Sequence, residues 1–435
     1  MSYRICKECG KENTEVDWCK ECNAKHFQQN FKNWTSGNND IDKFIQDTQL
    51  SATDYEKVLE WIPYNKLYDI EYIAKGGFGK VYRAKWIDGY IESWDNINKN
   101  WKRYDSNEFV ALKSLNNSEN VTSEFINEIT MHCKTKKSYF ISVVRVYGIT
   151  QDPETKNYMM VLQYAKNGSL RAYLDKNYHE LSWDTKLEYL WHITLGLESI
   201  HEEELIHRDL HIGNILSFKS EVTVTDMGLC KPADYNVSEN PKNSIYGVLP
   251  YIAPEVLRGQ NYTKAADIYS FGIIMYEVIS GLPPYHDVSH DKNLAIKICQ
   301  GLRSRFSNIK VPQLIVNLVK RCLDANPINR PEAVEIRDIL WQWWIGDEEL
   351  QKQFKQIEES EKINTSLPAS SIPLTSLSYE THSEAVYTSR LLNFNNLPEP
   401  KNSDDYYNEQ NDNIISEKFS ESLQIDISQL KINEI

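Results

Sequence analysis

The sequence predicts an α+β chain with a small β-rich lobe carrying one helix, followed by a larger helical lobe. From Leu67 the apolar residues fall in short runs bounded by glycine, the pattern of half-buried strands. From about Leu170 they recur at helical spacing over long stretches. A chain of 435 residues has room for two or three domains of about 150 residues, with a sizeable core in at least one.

The chain opens on two copies of one turn motif, Cys6-Lys7-Glu8-Cys9 and Cys19-Lys20-Glu21-Cys22. Each pair can place two thiolates on one ion, and Gly10 permits the tight turn after the first, so residues 1–26 read as a zinc-ribbon-like segment with four cysteine ligands. A redox pair would want a βαβ setting, and chance would not double the spacing. So small a module has little core, and the metal would supply most of its folding energy. Residues 27–66 read as a helical linker or a collar on the next domain: Asn39-Asp40 cap one helix, and Thr53-x-x-Glu56 forms a capping box for a second that Pro63 ends. The lobes follow over 67–345. Residues 346–435 hold 17 acidic and 7 basic side chains with little periodicity, and read as an acidic, largely disordered tail in which Tyr387–Phe394 is a patch able to fold on a partner.

Composition narrows the function. The formal charge is −14, ten of it in the tail, so binding of nucleic acid through the whole surface is disfavoured. Residues 1–26 interleave Arg4, Lys7, Lys11, Lys20 and Lys25 with five acids, and force no basic face on the zinc segment. With no run of about 18 apolar residues and no apolar N-terminal leader, the expectation is a cytoplasmic protein without membrane contact, the nucleus remaining open.

The chemistry lies in the lobes. Lys75-Gly76-Gly77-Phe78-Gly79-Lys80-Val81 sits between two strands, where glycines let backbone N–H groups approach phosphate oxygens. The strand Phe109–Lys113 ends on a lysine, and Glu128, on a helical stretch fifteen residues on, is placed to reach it; a paired lysine stays charged and aimed at a phosphate. Ile206-His207-Arg208-Asp209-Leu210-His211-Ile212-Gly213-Asn214 follows, then Asp226-Met227-Gly228, whose Asn and Asp oxygens suit Mg²⁺. Ala253-Pro254-Glu255, Asp267–Gly272 and Cys322…Arg330-Pro331 complete the series.

In this order and spacing, residues 67–345 resemble the eukaryotic protein kinases, and Gly281-Leu282-Pro283-Pro284-Tyr285 with Val146–Ile149 resembles their tyrosine-kinase-like branch. The resemblance implies the bilobal kinase fold and transfer of the γ-phosphate of Mg·ATP to hydroxyls of protein substrates. It implies Asp209 as catalytic base, Asn214 and Asp226 as Mg²⁺ ligands, and Lys113, fixed by Glu128, on the α and β phosphates. Gly76, Gly77 and Gly79 would cover the phosphates. Val81, Ala111 and Leu216 would sandwich adenine, whose edge would meet the backbone from Gln163 to Ala165 beside a gatekeeper Leu162. Glu255 and Arg330 would form a buried structural ion pair, and Arg208 would be placed to receive an activation-loop phosphate.

Four positions depart from that pattern. Ala74 stands for the first loop glycine, Met227 for phenylalanine, His211 for the lysine of serine/threonine kinases and Val248 for threonine. The resemblance implies that the changes at His211 and Val248 together remove one polar network around the catalytic aspartate, while His211 keeps a hydrogen bond for the γ-phosphate, stronger when protonated, so the expectation is reduced activity with a slightly acidic optimum. His132 reads as a satisfied core histidine. Tyr251 before Ile252–Glu255 favours Ser/Thr over Tyr as acceptor. An insertion between Val81 and Lys113, carrying Trp86, Trp94 and Trp101, reads as a long hairpin packed on the β lobe, a docking surface being the alternative. Tyr235, Ser238, Ser244 and Tyr246 are candidate switches in the activation segment, and Ser366, Ser370, Ser371, Ser376 and Ser378 candidate autophosphorylation sites in the tail. The rival reading is a pseudokinase scaffold acting through partners of the zinc segment, insertion and tail. Against it, Lys113, Glu128, Asp209, Asn214 and Asp226 are all present.

Overall fold

The computed structural model describes residues 5–75, 79–115, 123–135, 143–219, 221–233, 245–306, 309–364, 379–404 and 406. In the N-terminal module, Cys6 closes its knuckle through the N–H groups of Gly10 and of Cys6 itself, the first donating to the Cys6 carbonyl and the second to that of Lys11. Gly10 takes φ +73°, a conformation that costs glycine nothing. Helix α1 (Lys20–Asn30) starts at Cys19, and Trp18 is buried beneath it, its indole N–H donating to the Ala52 carbonyl at 3.1 Å.

The linker is only partly helical. Helix α2 (Asn39–Ser51) is capped by Asn38, whose side chain accepts from the N–H groups of Asp40 and Ile41. Asp54 caps only a single 3₁₀ turn, Tyr55–Lys57, instead of the expected second helix. Val58 is extended, and Glu60–Trp61 form strand β1. Pairing won over the capping box because β1 finds an open sheet edge.

The small lobe contains β2 (Leu67–Lys75), β3 (Gly79–Trp86), β4 (Tyr90–Asp95), β5 (Asn100–Tyr104), β6 (Glu108–Leu115), α3 (Ser123–Lys134), β7 (Val146–Gln151) and β8 (Tyr158–Gln163). Its main sheet has the order β1-β7-β8-β6-β3-β2, β1 lying parallel to β7 and the other pairs antiparallel. A Cβ on Gly148 of β7 would fall 2.0 Å from the Glu60 carbonyl oxygen, so only glycine admits β1 at this distance. Ile41 and Ile45 of α2 share one apolar cluster with Phe125 and Ile129 of α3.

The insertion is the β4–β5 hairpin. Trp86 joins the small-lobe core as expected. Trp101 instead stacks on Phe27 at 4.2 Å between ring centroids and on Trp18 at 6.1 Å, while Trp94 stacks on His26 at 3.8 Å. The hairpin therefore roofs the cysteine module, because that module exposes aromatic surface it cannot bury alone. Arg103 fastens the hairpin to β1 through Glu60, its Nη2 donating to Oε2 at 2.5 Å.

The large lobe is built from α4 (Leu170–Asn177), α5 (Trp183–Glu202), β9 (Leu205–Ile206), β10 (Ile215–Ser217), β11 (Val222–Val224), β12 (Lys231–Pro232), β13 (Ile245–Gly247) and α6 (Pro254–Leu257), then α7 (Lys264–Ser280), α8 (Lys292–Cys299), α9 (Gln313–Cys322) and α10 (Ala333–Trp344). Helix α7 is buried all round, as its nearly uncharged sequence requires. Glu255 and Arg330 meet below it in a bidentate pair at 2.7 and 2.8 Å.

The tail departs from the expected disorder. Glu348–Asn364 form helix α11, and residues 379–404 run along the large lobe, with Arg390–Leu392 as strand β14. Strand β14 pairs antiparallel with β13, matching Ile245 to Leu392 and Gly247 to Arg390. Few charges fall between Ala385 and Leu397, and Leu392 buries its side chain in the large-lobe core. The candidate serines at 366, 370, 371, 376 and 378, with Tyr235, Ser238, Ser244, Gly76 and Gly77, lie outside the described residues.

Candidate functional site

Between the lobes, Lys113 projects from β6, whose register sets it beside Val81 of β3 and Met160 of β8. Its Nζ donates to Glu128 Oε1 at 2.6 Å and to Asp226 Oδ1 at 2.9 Å. Burial opposes the Lys113 charge, but Asp226 and Glu128 outweigh it and hold the ammonium well above its ordinary range. Burial also raises Asp226, yet Lys113 overcomes it and draws that carboxyl down to about 2. Glu128 moves the other way, burial pushing it up more than Lys113 pulls it down. The result is a fixed cation with an ionised carboxylate beside it, a pairing suited to a polyphosphate and its metal.

The second half of the site is a loop held from below. Asp267, at the start of α7, accepts the N–H of His207 at 2.8 Å and that of Arg208 at 3.0 Å, and meets His201 Nε2 at 3.0 Å. Arg208 and Asp226 both adopt positive φ, 69° and 65°; Asp267 holds the first by its N–H, and Lys113 holds the side chain of the second. Asp209 is buried, and its own carbonyl accepts from the Asn214 side chain at 2.9 Å. That bond fixes the amide of Asn214 and ties the two residues into one unit. In the sequence Asp267 only opens one segment of the series, Asp267–Gly272. Its position beneath the loop depends on a contact across 60 residues.

His211 Nδ1 accepts the Gly213 N–H at 3.1 Å, so a neutral ring carries its proton on Nε2, which faces Asp209 Oδ2 at 3.9 Å. Burial lowers the His211 pKa more than Asp209 and Asp226 raise it. Burial thus works against the protonation that would strengthen the His211 hydrogen bond.

The residues expected on the adenine side sit on β3, β6, β8 and β10. Val81 pairs with Lys113, Ala111 with Leu162, and Leu216 of β10 with Thr223. Leu162 and Ala165 are buried, the Gln163 N–H donates to the Arg145 carbonyl at 2.9 Å, and the Ala165 carbonyl accepts from Gly168 at 3.0 Å. Gly79 opens β3 opposite Leu115. His132 and Met227 are both buried.

One further side chain reaches the centre. Ser389, just before β14, donates its hydroxyl to Asp209 Oδ2 at 2.6 Å and lies 3.4 Å from His211 Nε2. The sequence reading marked other tail serines, and nothing local distinguishes this one. Only the apolar patch around it was a signal.

Away from the cleft, the ligand sulfurs of Cys6, Cys9, Cys19 and Cys22 all lie within 4.8 Å of one another. The Lys11 N–H first, and then Cys22, draw the Cys9 thiol down to about 7, whereas burial raises those of Cys19 and Cys22. Among the described residues no helix is long and apolar enough to cross a membrane.

A Dictyostelium discoideum protein named a probable serine/threonine-protein kinase is 30% identical over 298 residues, covering 64% of this chain and 15% of the relative. A tyrosine-protein kinase of Girardia tigrina is 26% identical over 61% of this chain and 51% of its own length. The receptor-interacting serine/threonine-protein kinase 2 of Bos taurus is 27% identical, with 66% and 53% covered. The chain thus spans about half or less of each of these relatives. Residues 68–340 match the model of the protein tyrosine and serine/threonine kinase family, which runs from β2 through α10 and so takes in both halves of the cleft. By that match the chain belongs to the protein tyrosine and serine/threonine kinases, a family whose members use ATP and Mg²⁺.

Proposed function

We propose that the cleft transfers the γ-phosphate of Mg·ATP to serine or threonine hydroxyls of proteins in intracellular signalling. The observation that carries this reading is the Lys113–Glu128–Asp226 ion group set next to Asn214, whose carbonyl accepts the Thr225 N–H at 2.9 Å and whose side chain donates to the Asp209 carbonyl. Lys113 would hold the α and β phosphates, Glu128 keeping its ammonium aimed. Asp226 and Asn214 offer the hard oxygens that Mg²⁺ takes, and the metal when bound neutralises charge on the phosphates. Asp209 Oδ2 receives the acceptor's proton, and His211 Nε2–H stands beside it as a neutral donor. Val81, Ala111 and Leu216 form the apolar bed for adenine. The acceptor preference is supported by a serine hydroxyl already resting on Asp209 and by the printed names of two of the three relatives. Membership of the tyrosine-kinase-like branch rests on the Gly281–Tyr285 and Val146–Ile149 segments.

The test is phosphate incorporation from labelled Mg·ATP into a general protein substrate, followed by phosphoamino-acid analysis. Wild type is expected to label serine and threonine, and Asp209→Asn to reduce incorporation by about 100-fold or more. Equal silence of both proteins would replace this reading with that of a nucleotide-binding scaffold.

For the N-terminal module we infer a structural Zn²⁺ on Cys6, Cys9, Cys19 and Cys22, since four convergent sulfurs within 4.8 Å fit tetrahedral Zn–S bonding. One zinc per chain by elemental analysis, lost in Cys6→Ser/Cys9→Ser, is the expected result.

A further inference from the structure

We propose that Ser389 is an intramolecular phosphoacceptor and that residues 379–404 are the chain's own occupant of the acceptor groove. The inference rests on the phosphotransfer reading above.

Ser389 Oγ lies where an acceptor hydroxyl is needed. It gives its proton to Asp209 Oδ2 at 2.6 Å, and His211 Nε2 lies 3.4 Å from the same hydroxyl. The backbone around it is extended and adds a strand to β13, so main-chain hydrogen bonds set its register. Side chains fix the phase on either side. Tyr387, two residues before, donates its hydroxyl to the Pro284 carbonyl at 2.9 Å and packs edge-on against His290 at 4.9 Å. Arg390 donates to the His290 carbonyl at 2.6 Å, and Leu392, three residues after, is buried.

The docking continues well beyond the cleft, as a purely local contact would not. His290 Nε2 lies 3.1 Å from the Tyr285 carbonyl, and its Nδ1 lies 3.0 Å from both the N–H nitrogen and the carbonyl oxygen of Val386. Lys401 N–H donates to the Cys299 carbonyl, Asn402 accepts from the Ala325 N–H at 2.7 Å, and Arg258 pairs with Glu399. A Cβ on Gly301 would fall 2.4 Å from the Asn402 carbonyl oxygen, so the large lobe keeps a glycine where the tail backbone crosses.

The reaction balances without a further reagent. A lone pair on Ser389 Oγ forms the bond to the γ-phosphorus of ATP, the bond from that phosphorus to the β,γ-bridging oxygen breaks, and ADP leaves with its electrons. The hydroxyl proton passes to Asp209 Oδ2. Once Asp209 passes that proton on to solvent, its carboxylate faces a phosphoserine dianion, and like-charge repulsion at that distance drives β14 off β13. The same contacts define the external acceptors that replace it: extended peptides with an aromatic residue two before the serine and an aliphatic one three after.

Two measurements on the full chain test this. Without nucleotide, amide hydrogen exchange is expected to protect residues 245–247 and 386–394. Leu392→Asp should raise exchange there by about tenfold or more, while Ser389→Ala keeps the protection. With Mg·ATP, mass spectrometry should find phosphate on Ser389 at a rate unchanged by tenfold dilution and absent in Asp209→Asn. Residues 386–394 of the phosphorylated protein should then exchange as fast as in Leu392→Asp. Transfer to an external protein with Ser389 left unmodified overturns the inference and leaves the phosphotransfer reading standing. A Ser389 rate that scales with protein concentration overturns its intramolecular character. No transfer to any acceptor by wild type or Leu392→Asp removes the phosphotransfer reading, and this inference with it.

Discussion

Individual side chains divide into those that face the cleft and those that hold it. The Glu255–Arg330 pair is of the second kind, with both side chains nearly inaccessible and bidentate geometry. Arg330→Ala leaves a carboxylate buried without its cation, so a loss of about 3–5 kcal/mol in urea unfolding is expected. His192 of α5 is buried and pushed down to about 4 by desolvation. Its contribution to stability is therefore complete above about pH 6.5, where the unfolded chain's histidine is also neutral. It is lost as pH falls from there toward about 4, where the unfolded chain binds a proton that the folded one refuses. Melting temperature should fall across that window, and less steeply in His192→Gln. At this scale the sequence was informative wherever a residue belongs to a motif of fixed spacing. Lys113, Glu128, Asp209, Asn214 and Asp226 were legible for that reason. Asp267 and Ser389 act through contacts 60 and 180 residues away, which no local pattern carries.

Among elements, strand β1 and the β4–β5 hairpin show what periodicity misses. A capping box at Thr53 promised a helix, yet a 3₁₀ turn and a strand formed because an open edge on β7 was available. Gly148 is the condition for that pairing. Gly148→Ala should expel β1 and cost about 1–3 kcal/mol, read as a lower urea midpoint with faster amide exchange at Trp61. The hairpin was visible as an insertion rich in tryptophan, but its target was not, since two of its three indoles meet His26, Phe27 and Trp18 of the cysteine module. Chelation of zinc is thus expected to do more than unfold residues 5–30. Tryptophan fluorescence from Trp94 and Trp101 should change in the same step, and the melting temperature of the whole protein should drop.

Across the whole molecule, the order of strands and helices from Leu67 to Trp344 was legible in the sequence, because alternation and helical spacing report one lobe at a time. The relation of the ends to that body was not. Of the two readings of residues 27–66, linker or collar, the collar describes what they do, since they add a strand and a helix to the small lobe; the acidic tail, read as largely disordered, lays residues 379–404 along the large one. Composition did not mark the docked stretch because the tail's charges are averaged over ninety residues, while residues 385–397 are locally apolar.

The cluster shared by α2 and α3 has a consequence for control. Glu128 reaches Lys113 only while α3 stays seated, and here α3 is wedged by Ile41 and Ile45 of the same polypeptide. On the proposed reading, a wedge supplied by the same polypeptide would hold the nucleotide side set without a partner's help. Timing is then left to the opposite wall, where a strand must vacate before any other chain can enter.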